Sequence, residues 1–219
     1  MDSVFERTDA DSSGHLISAN MYNLVIGLVL TWGFIVNWWM VQNIPAASIA
    51  SIDVRIFLLG YFCSCFLGIY LFTNSDNPLV SFIGYNFVVV PFGLIINLVV
   101  SRYNPDLVIE AIRITGVVTI VMMFLGTVFP AFFEKISGAL TVALFVVILV
   151  ELFEIFFLNT HHGIIDWVVV FIFCGYIGYD WGRANAIPKT LDNAVDSAAS
   201  LYMDIINLFL RILRIMGRK

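Results

Sequence analysis

Seven long apolar runs divide this chain, and they constrain its fold more than any other feature. They cover residues 21–41, 56–72, 79–100, 107–129, 136–158, 166–181 and 197–216. About 20 apolar residues in a helix cross the roughly 30 Å hydrocarbon layer of a bilayer. With 60% hydrophobic and 12% charged residues, the chain is also too apolar for water to be its main solvent. We therefore expect an all-α, polytopic membrane protein, built as a bundle of seven transmembrane helices.

The connections between the runs predict how they are joined. Most are short and contain Pro, Asn, Ser or Gly, which suits turns between antiparallel helices, and the segment 182–196 is longer. We assign residues 21–217 to one transmembrane domain. Residues 1–20 form an acidic tail, whose carboxylates are Asp2, Glu6, Asp9 and Asp11. Seven spans put the termini on opposite sides, but Lys and Arg are too evenly distributed to decide which side is cytoplasmic.

Several common functions lack their signature in this sequence. It contains no Gly-rich phosphate loop, no GxSxG and no HExxH, and its three lysines lie outside the centres of the runs. We expect no enzymatic activity, no cofactor and no nucleic-acid partner. His161 and His162 adjoin in the loop after the fifth run, where neighbouring histidines are far more often interfacial residues than metal ligands.

The seventh run carries a polar stripe, which is unusual for a helix in lipid. At 100° per residue, six polar side chains fall on one face. They are Ser197, Ser200, Asp204, Asn207, Arg211 and Arg214. A charge at mid-bilayer costs roughly 2.5 to 3.5 kcal/mol on insertion scales, so this face should line a pore or turn into the bundle. The alternative is an amphipathic helix on the membrane surface, although the run is long and apolar enough to insert.

Asp180 closes the sixth run, at the edge of its apolar part. Gly175, Gly178 and Gly182 share a different face of the same helix and would allow close contact with a neighbour. If the sixth and seventh runs are antiparallel, Asp180 and Asp204 could reach a similar depth. Two carboxylates in a low dielectric cannot both ionise readily, so they would share a proton and respond to pH. Spacing alone leaves open that each aspartate has a separate partner.

Other charged residues near the runs allow two interpretations each. Glu110 and Arg113 are three residues apart on one helix face, where they could form a structural ion pair or serve a functional site. Five acidic residues gather on the side opposite the amino terminus: Asp53, Asp106, Glu110, Glu151 and Glu154. Such a group concentrates cations at the mouth of a channel, but an ordinary solvated rim has the same sequence pattern.

The carboxy-terminal sequence resembles a known family. GYIGYD at 175–180, followed by SLYMDIINLFLRILRIMG at 200–217, is similar to the Bax inhibitor family of membrane proteins, also called the lifeguard family. The resemblance rests on a Tyr-Asp that closes the sixth span and on Leu-Tyr-x-Asp-x-x-Asn-Leu-Phe in the seventh. Glu110, in LVIEAIRITG, also fits a feature of the fourth span.

The resemblance implies a seven-helix bundle with the last helix at its centre, and a pH-sensitive calcium leak in which calcium is the transported ion. The aspartates corresponding to Asp180 and Asp204 would form a proton-sharing pair that gates the pore. It also implies a plasma membrane of bacterial type and a cytoplasmic amino terminus. Bacterial relatives carry a basic cluster after the second span, where this chain has FTNSDNP. The counter-ion of the pair is therefore unassigned, with Arg211, Arg113 and Arg55 as candidates.

Two other classes of membrane protein remain open. Presenilin-like intramembrane aspartyl proteases also pair a Tyr-Asp with a second membrane aspartate, but theirs lies in Gly-x-Gly-Asp, whereas residues 201–204 read Leu-Tyr-Met-Asp. A proton-coupled transporter would need discontinuous helices, for which Pro91 and Gly93 in the third run are the only hint.

Overall fold

A computed structural model of the chain describes residues 15–154 and 163–218, and within these ranges it contains helices and no strands. The helices are α1 Ala19–Asn43, α2 Ala46–Ala50, α3 Val54–Asn74, α4 Pro78–Val100, α5 Pro105–Val128, α6 Pro130–Phe153, α7 Gly163–Ala186 and α8 Leu191–Met216. Seven of them are long and follow the seven predicted runs in order, whereas α2 has five residues. The predicted all-α fold with seven long helices is therefore confirmed.

Six of the long helices, α1 and α3 to α7, are long and apolar enough to cross a membrane. The chain is thus an integral, multi-pass membrane protein. Helix α8 differs because charged residues recur along it, from Asp192 to Arg214. Most of its residues are nevertheless buried, so protein rather than lipid surrounds its polar groups. The predicted central position of the last helix agrees with this burial.

The short connections follow from the residues at the helix starts. Asn77 and Asn104 each precede a proline, and each asparagine side chain accepts a hydrogen bond from the backbone two residues ahead, at 3.0 and 2.9 Å. Such an N-cap satisfies an amide that the first helical turn leaves without a partner, and proline suits the position that follows. The same arrangement therefore begins both α4 and α5.

The chain forms two compact units. The first contains α1 to α4 and the beginning of α8, through Tyr202, and the second contains α5 to α7 and the rest of α8, from Met203. In the first unit, α3 and α4 approach closely at Gly68 and Gly84. A Cβ at Gly68 would lie 2.5 Å from the Gly84 carbonyl oxygen, so a larger residue would force the helices apart.

Three glycines shape the second unit. A Cβ at Gly126 of α5 would overlap the Gly178 carbonyl of α7, and one at Gly182 would lie 2.9 Å from the Gly126 carbonyl oxygen. The side chain of Trp181 donates a hydrogen bond to Thr127 Oγ1 across the same contact, at 2.9 Å. The predicted close approach at this glycine face is confirmed, and it fixes the end of α7 that carries Asp180.

Two boundaries predicted from the sequence are wrong. The connection predicted over 182–196 is mostly helical, because α7 continues to Ala186 and α8 already begins at Leu191. The polar residues that suggest a loop there are buried and bonded to protein: Ser81 Oγ donates to Asp192 Oδ1 at 2.7 Å. Pro91 does not interrupt the third span. Helix α4 is continuous through it, so this span is not the discontinuous helix that a proton-coupled transporter would need.

Some predicted features lie outside the described residues. These are Asp2, Glu6, Asp9 and Asp11 of the acidic tail, the loop residues His161 and His162, and Lys219. Within the described ranges, α1 begins at Ala19, two residues before the predicted transmembrane domain.

Candidate functional site

Asp180 of α7 and Asp204 of α8 meet in the second unit. Their side chains form a hydrogen bond with each other, and they are 9% and 7% exposed. Two carboxyl groups in contact in a buried site cannot both ionise readily, so this geometry suits a pair that shares one proton. The structure therefore brings together the two aspartates that the sequence singled out.

Within the described residues, the hydrogen bonding of the pair is incomplete. Asp204 Oδ2 is buried and makes no hydrogen bond. Tyr176, one turn before Asp180, interacts electrostatically with both aspartates, but its hydroxyl donates to Thr141 Oγ1 at 3.1 Å. A buried carboxylate is stable only with a cation or several donors around it. A buried pair of carboxyl groups is therefore stabilised by a shared proton or by nearby positive charge.

Arg183 supplies positive charge beside the pair. It lies one turn after Asp180 on α7, is partly buried and interacts electrostatically with that aspartate and with Glu134 of α6. Its Nη1 donates to the Tyr179 hydroxyl at 2.6 Å, and its guanidinium lies 5.8 Å from the Tyr179 ring centre. Sequence reasoning missed this residue, although its spacing of three from Asp180 was the available signal.

The arginines predicted as counter-ions have other partners or positions. Arg211 donates to both oxygens of Glu151 and, at 2.8 Å, to Asp166 Oδ1. Arg113 is 73% exposed and pairs with Glu110 at 3.6 Å, which agrees with a structural ion pair. Arg55 is exposed in the first turn of α3.

A cluster of ion pairs joins the end of α8 to α6 and α7. Asp166, which is fully buried, lies 3.2 Å from Arg214 and 2.6 Å from Arg218, in addition to its bond with Arg211. Asp166 stands at the start of a predicted span and resembles an interfacial residue in the sequence, so its role was not predicted. We call Glu151, Asp166, Arg211, Arg214 and Arg218 the carboxy-terminal ion cluster.

The remaining polar residues of the α8 stripe also turn into protein. Ser197 is hydrogen bonded to the buried Tyr22 hydroxyl at 3.0 Å. Asn207 donates to the carbonyl oxygen of Met203 on its own helix, at 2.8 Å, and Ser200 is half-buried. The interior placement predicted for the stripe is therefore confirmed.

The five residues of the predicted acidic mouth occupy different settings. Asp53 is exposed and caps α3, accepting from the Arg55 amide at 2.9 Å. Asp106 and Glu110 are exposed in the first two turns of α5, whereas Glu154 is buried and Glu151 belongs to the carboxy-terminal ion cluster. The last two are therefore not part of a solvated rim.

A second set of buried polar residues lies in the first unit. The Tyr22 hydroxyl donates to the Asn193 carbonyl at 3.3 Å, and Asn193 Nδ2 donates to the Pro188 carbonyl at 2.8 Å. Asp192 and Asp196 are 4% and 2% exposed on the same stretch of α8. Asn193 and Asp196 extend the polar stripe of α8 by about one turn, which sequence reasoning missed because it began the helix at Ser197.

No group of three or more His, Cys, Asp or Glu side chains within the described ranges could hold a metal ion. The site consists of titratable and charged side chains within a helical bundle. Such an arrangement can bind and release protons, and it can couple that event to the packing of α7 against the second half of α8.

The sequence is similar to known proteins. The family model described as "Inhibitor of apoptosis-promoting Bax1" matches residues 14–219. The chain is 27% identical over 215 residues to Protein LIFEGUARD 3 of Arabidopsis thaliana, a match that covers 85% of each protein.

Two shorter matches involve Bax inhibitor 1 of Schizosaccharomyces pombe, 31% identical over 130 residues, and Protein lifeguard 4 of Mus musculus, 30% identical over 127 residues. Each covers 57% of this chain, and they cover 47% of the yeast protein and 52% of the mouse protein. The similarity therefore spans about half the length of these two relatives.

Proposed function

This chain belongs to the Bax inhibitor family, and on that premise we propose that it is a pH-sensitive leak channel for calcium or other cations. The gate is the Asp180–Asp204 pair, which joins α7 to α8. Calcium is the transported ion rather than a bound cofactor. The membrane is a plasma membrane of bacterial type, with the amino terminus in the cytoplasm.

The observation that carries this proposal is the burial of the two aspartates against each other, at 9% and 7% exposure. Removal of the shared proton would leave two carboxylates in contact, with the buried Asp204 Oδ2 making no hydrogen bond. Like charges repel strongly in a low dielectric, so the deprotonated pair favours a different packing of α7 and α8. The proton thus acts as a ligand that selects one of two arrangements.

A modest interaction suffices for such a gate. A difference of about 1.4 kcal/mol between two states changes their ratio tenfold. A repulsion of this size, gained or lost with one proton, would move a finely balanced gate from mostly closed to mostly open, or the reverse.

The direct test compares calcium flux across pH in vesicles loaded with a calcium-sensitive dye. Asp204→Asn keeps the shape of a neutral carboxyl but cannot lose a proton, so we expect flux that no longer depends on pH. Asp76→Asn, an exposed aspartate between α3 and α4, is the matched control and should keep the wild-type profile. A wild-type pH profile in Asp204→Asn would contradict the proposal.

Intramembrane proteolysis is the second candidate, since paired membrane aspartates are also the catalytic groups of aspartyl proteases. The same vesicles should be incubated with a helical membrane substrate. Cleavage that disappears in both Asp180→Asn and Asp204→Asn would favour the protease, whereas pH-dependent flux without cleavage favours the leak.

A further inference from the structure

The Asp180–Asp204 pair needs a counter-charge, and the described basic residues of the second unit can be compared for that role. The single-proton pair carries one negative charge in a buried site, which requires a nearby cation. Arg211, Arg214 and Arg218 belong to the carboxy-terminal ion cluster. Arg113 is paired with Glu110. Lys135 is exposed on α6.

Arg183 differs from all of these because it lies one turn after Asp180 on the same helix and is partly buried. The two residues are three apart on α7, which separates them by about 4.5 Å along the helix axis. Tyr179 holds the guanidinium in two ways, through the 2.6 Å hydrogen bond from Nη1 and through its aromatic ring at 5.8 Å. A guanidinium that already contacts an aromatic side chain loses little further conformational entropy when it also interacts with a carboxylate.

We propose that Arg183 is the counter-ion of the Asp180–Asp204 pair and that Tyr179 positions its guanidinium. This inference deepens the proposed function, because it identifies the residue that sets the pH at which the gate responds. Arg183 stabilises the negative form of the pair, so the pair loses its proton at a lower pH than it would alone.

The charged and titratable groups around the pair come from three helices. Helix α7 contributes Tyr176, Tyr179 and Arg183, while α8 contributes Asp204 itself. Helix α6 contributes Glu134, which competes for Arg183 and thereby weakens its effect on the aspartates. Arg183 is the positive member of this set.

The experiment follows the protonation of the pair by infrared spectroscopy on the full chain in bicelles, alongside the vesicle flux assay. The band to follow is the carbonyl stretch of the protonated carboxyl group, which is identified because Asp180→Asn and Asp204→Asn remove it. Arg183→Gln should move the pH midpoint of that band upward by about one unit, the smaller end of the effect of an opposite charge at close range. Arg183→Lys keeps the charge without the planar fork, so we expect a smaller upward shift.

Arg113→Gln is the matched control, since it removes the same charge from an exposed pair on α5 and should leave the midpoint in place. An unmoved midpoint in Arg183→Gln, or an equal shift in Arg113→Gln, would overturn the inference. If Arg183→Gln does not yield folded protein, Arg183→Lys and Tyr179→Phe decide, because unmoved midpoints in both also overturn it.

The two assays separate this inference from the proposed function. Flux that ignores pH in the wild-type protein counts against the gate, while the infrared midpoint still decides whether Arg183 is the counter-ion. A pH-dependent flux that Arg183→Gln leaves unshifted preserves the gate and rejects the counter-ion.

Discussion

Arginines in this chain illustrate how burial decides the value of an ion pair. Arg113 and Glu110 are both more than half exposed, so solvent weakens their attraction. The Arg211 side chain is 17% exposed and contacts two carboxylates, of which Asp166 is fully buried. A buried carboxylate that loses a partner has no water to replace it. The two arginines should therefore respond very differently to substitution.

Arg211→Met should lower the free energy of unfolding by about 2–3 kcal/mol, less than the usual loss for a broken buried pair because Arg214 and Arg218 still neutralise Asp166. Arg113→Met should cost less than about 1 kcal/mol. Unfolding of the two variants in mixed micelles, with increasing denaturing detergent, measures the difference. Equal losses would mean that the carboxy-terminal ion cluster does not stabilise the bundle.

At individual residues, the sequence predicted a role only where the residue type is unusual for its position. Asp204 stood out inside an apolar helix, and Asp180 closed a recognisable motif, so their meeting could be predicted. Asp166 and Arg183 lie near the ends of a span, where charged residues are ordinary in any membrane protein. Their burial and partners depend on tertiary contacts, which one sequence does not display.

Among the helices, α5 and α7 cross closely near the end of α7 that carries Asp180. The Gly126 and Gly178 backbones touch, which is possible only without side chains at the crossing. Sequence reasoning found the glycine face of α7 because its residues recur at helical spacing. Gly126 was not assigned as their partner, since nothing in the spacing says which helix lies opposite.

Gly126→Val should destabilise the protein by about 1–3 kcal/mol, because the new side chain would overlap the backbone of α7. Gly116→Val on the same helix is the matched control, since nothing lies within 4 Å of a Cβ there. Tryptophan fluorescence during thermal unfolding in detergent compares the two. A similar melting temperature for both variants would show that the close approach contributes little.

At the scale of the whole molecule, α8 decides whether the chain crosses the membrane six or seven times. Its length and burial indicate a seventh span, although its composition places it outside the six apolar helices. The number and order of the spans were predictable because apolar length is a local property of the sequence. The early start of α8 was not, because its polar residues are satisfied by partners distant in the chain, such as Ser81 and Tyr22.

Reporter fusions test both the seventh crossing and the proposed orientation. With a cytoplasmic amino terminus, alkaline phosphatase fused after the full chain should be active, because seven crossings place it outside the cell. The same enzyme fused after Ala186 should be inactive, because six crossings return it to the cytoplasm. Activity in neither fusion would mean that α8 does not cross, and the reverse pattern would invert the orientation.

The polar character of α8 also has a consequence for how the protein is made. Charged residues from Asp192 to Arg214 make this helix a poor substrate for independent insertion by the translocon. It can enter the bilayer stably only once earlier helices offer partners for those charges. Insertion of α8 therefore depends on prior folding, and defects in early helices should first become visible as a misplaced α8.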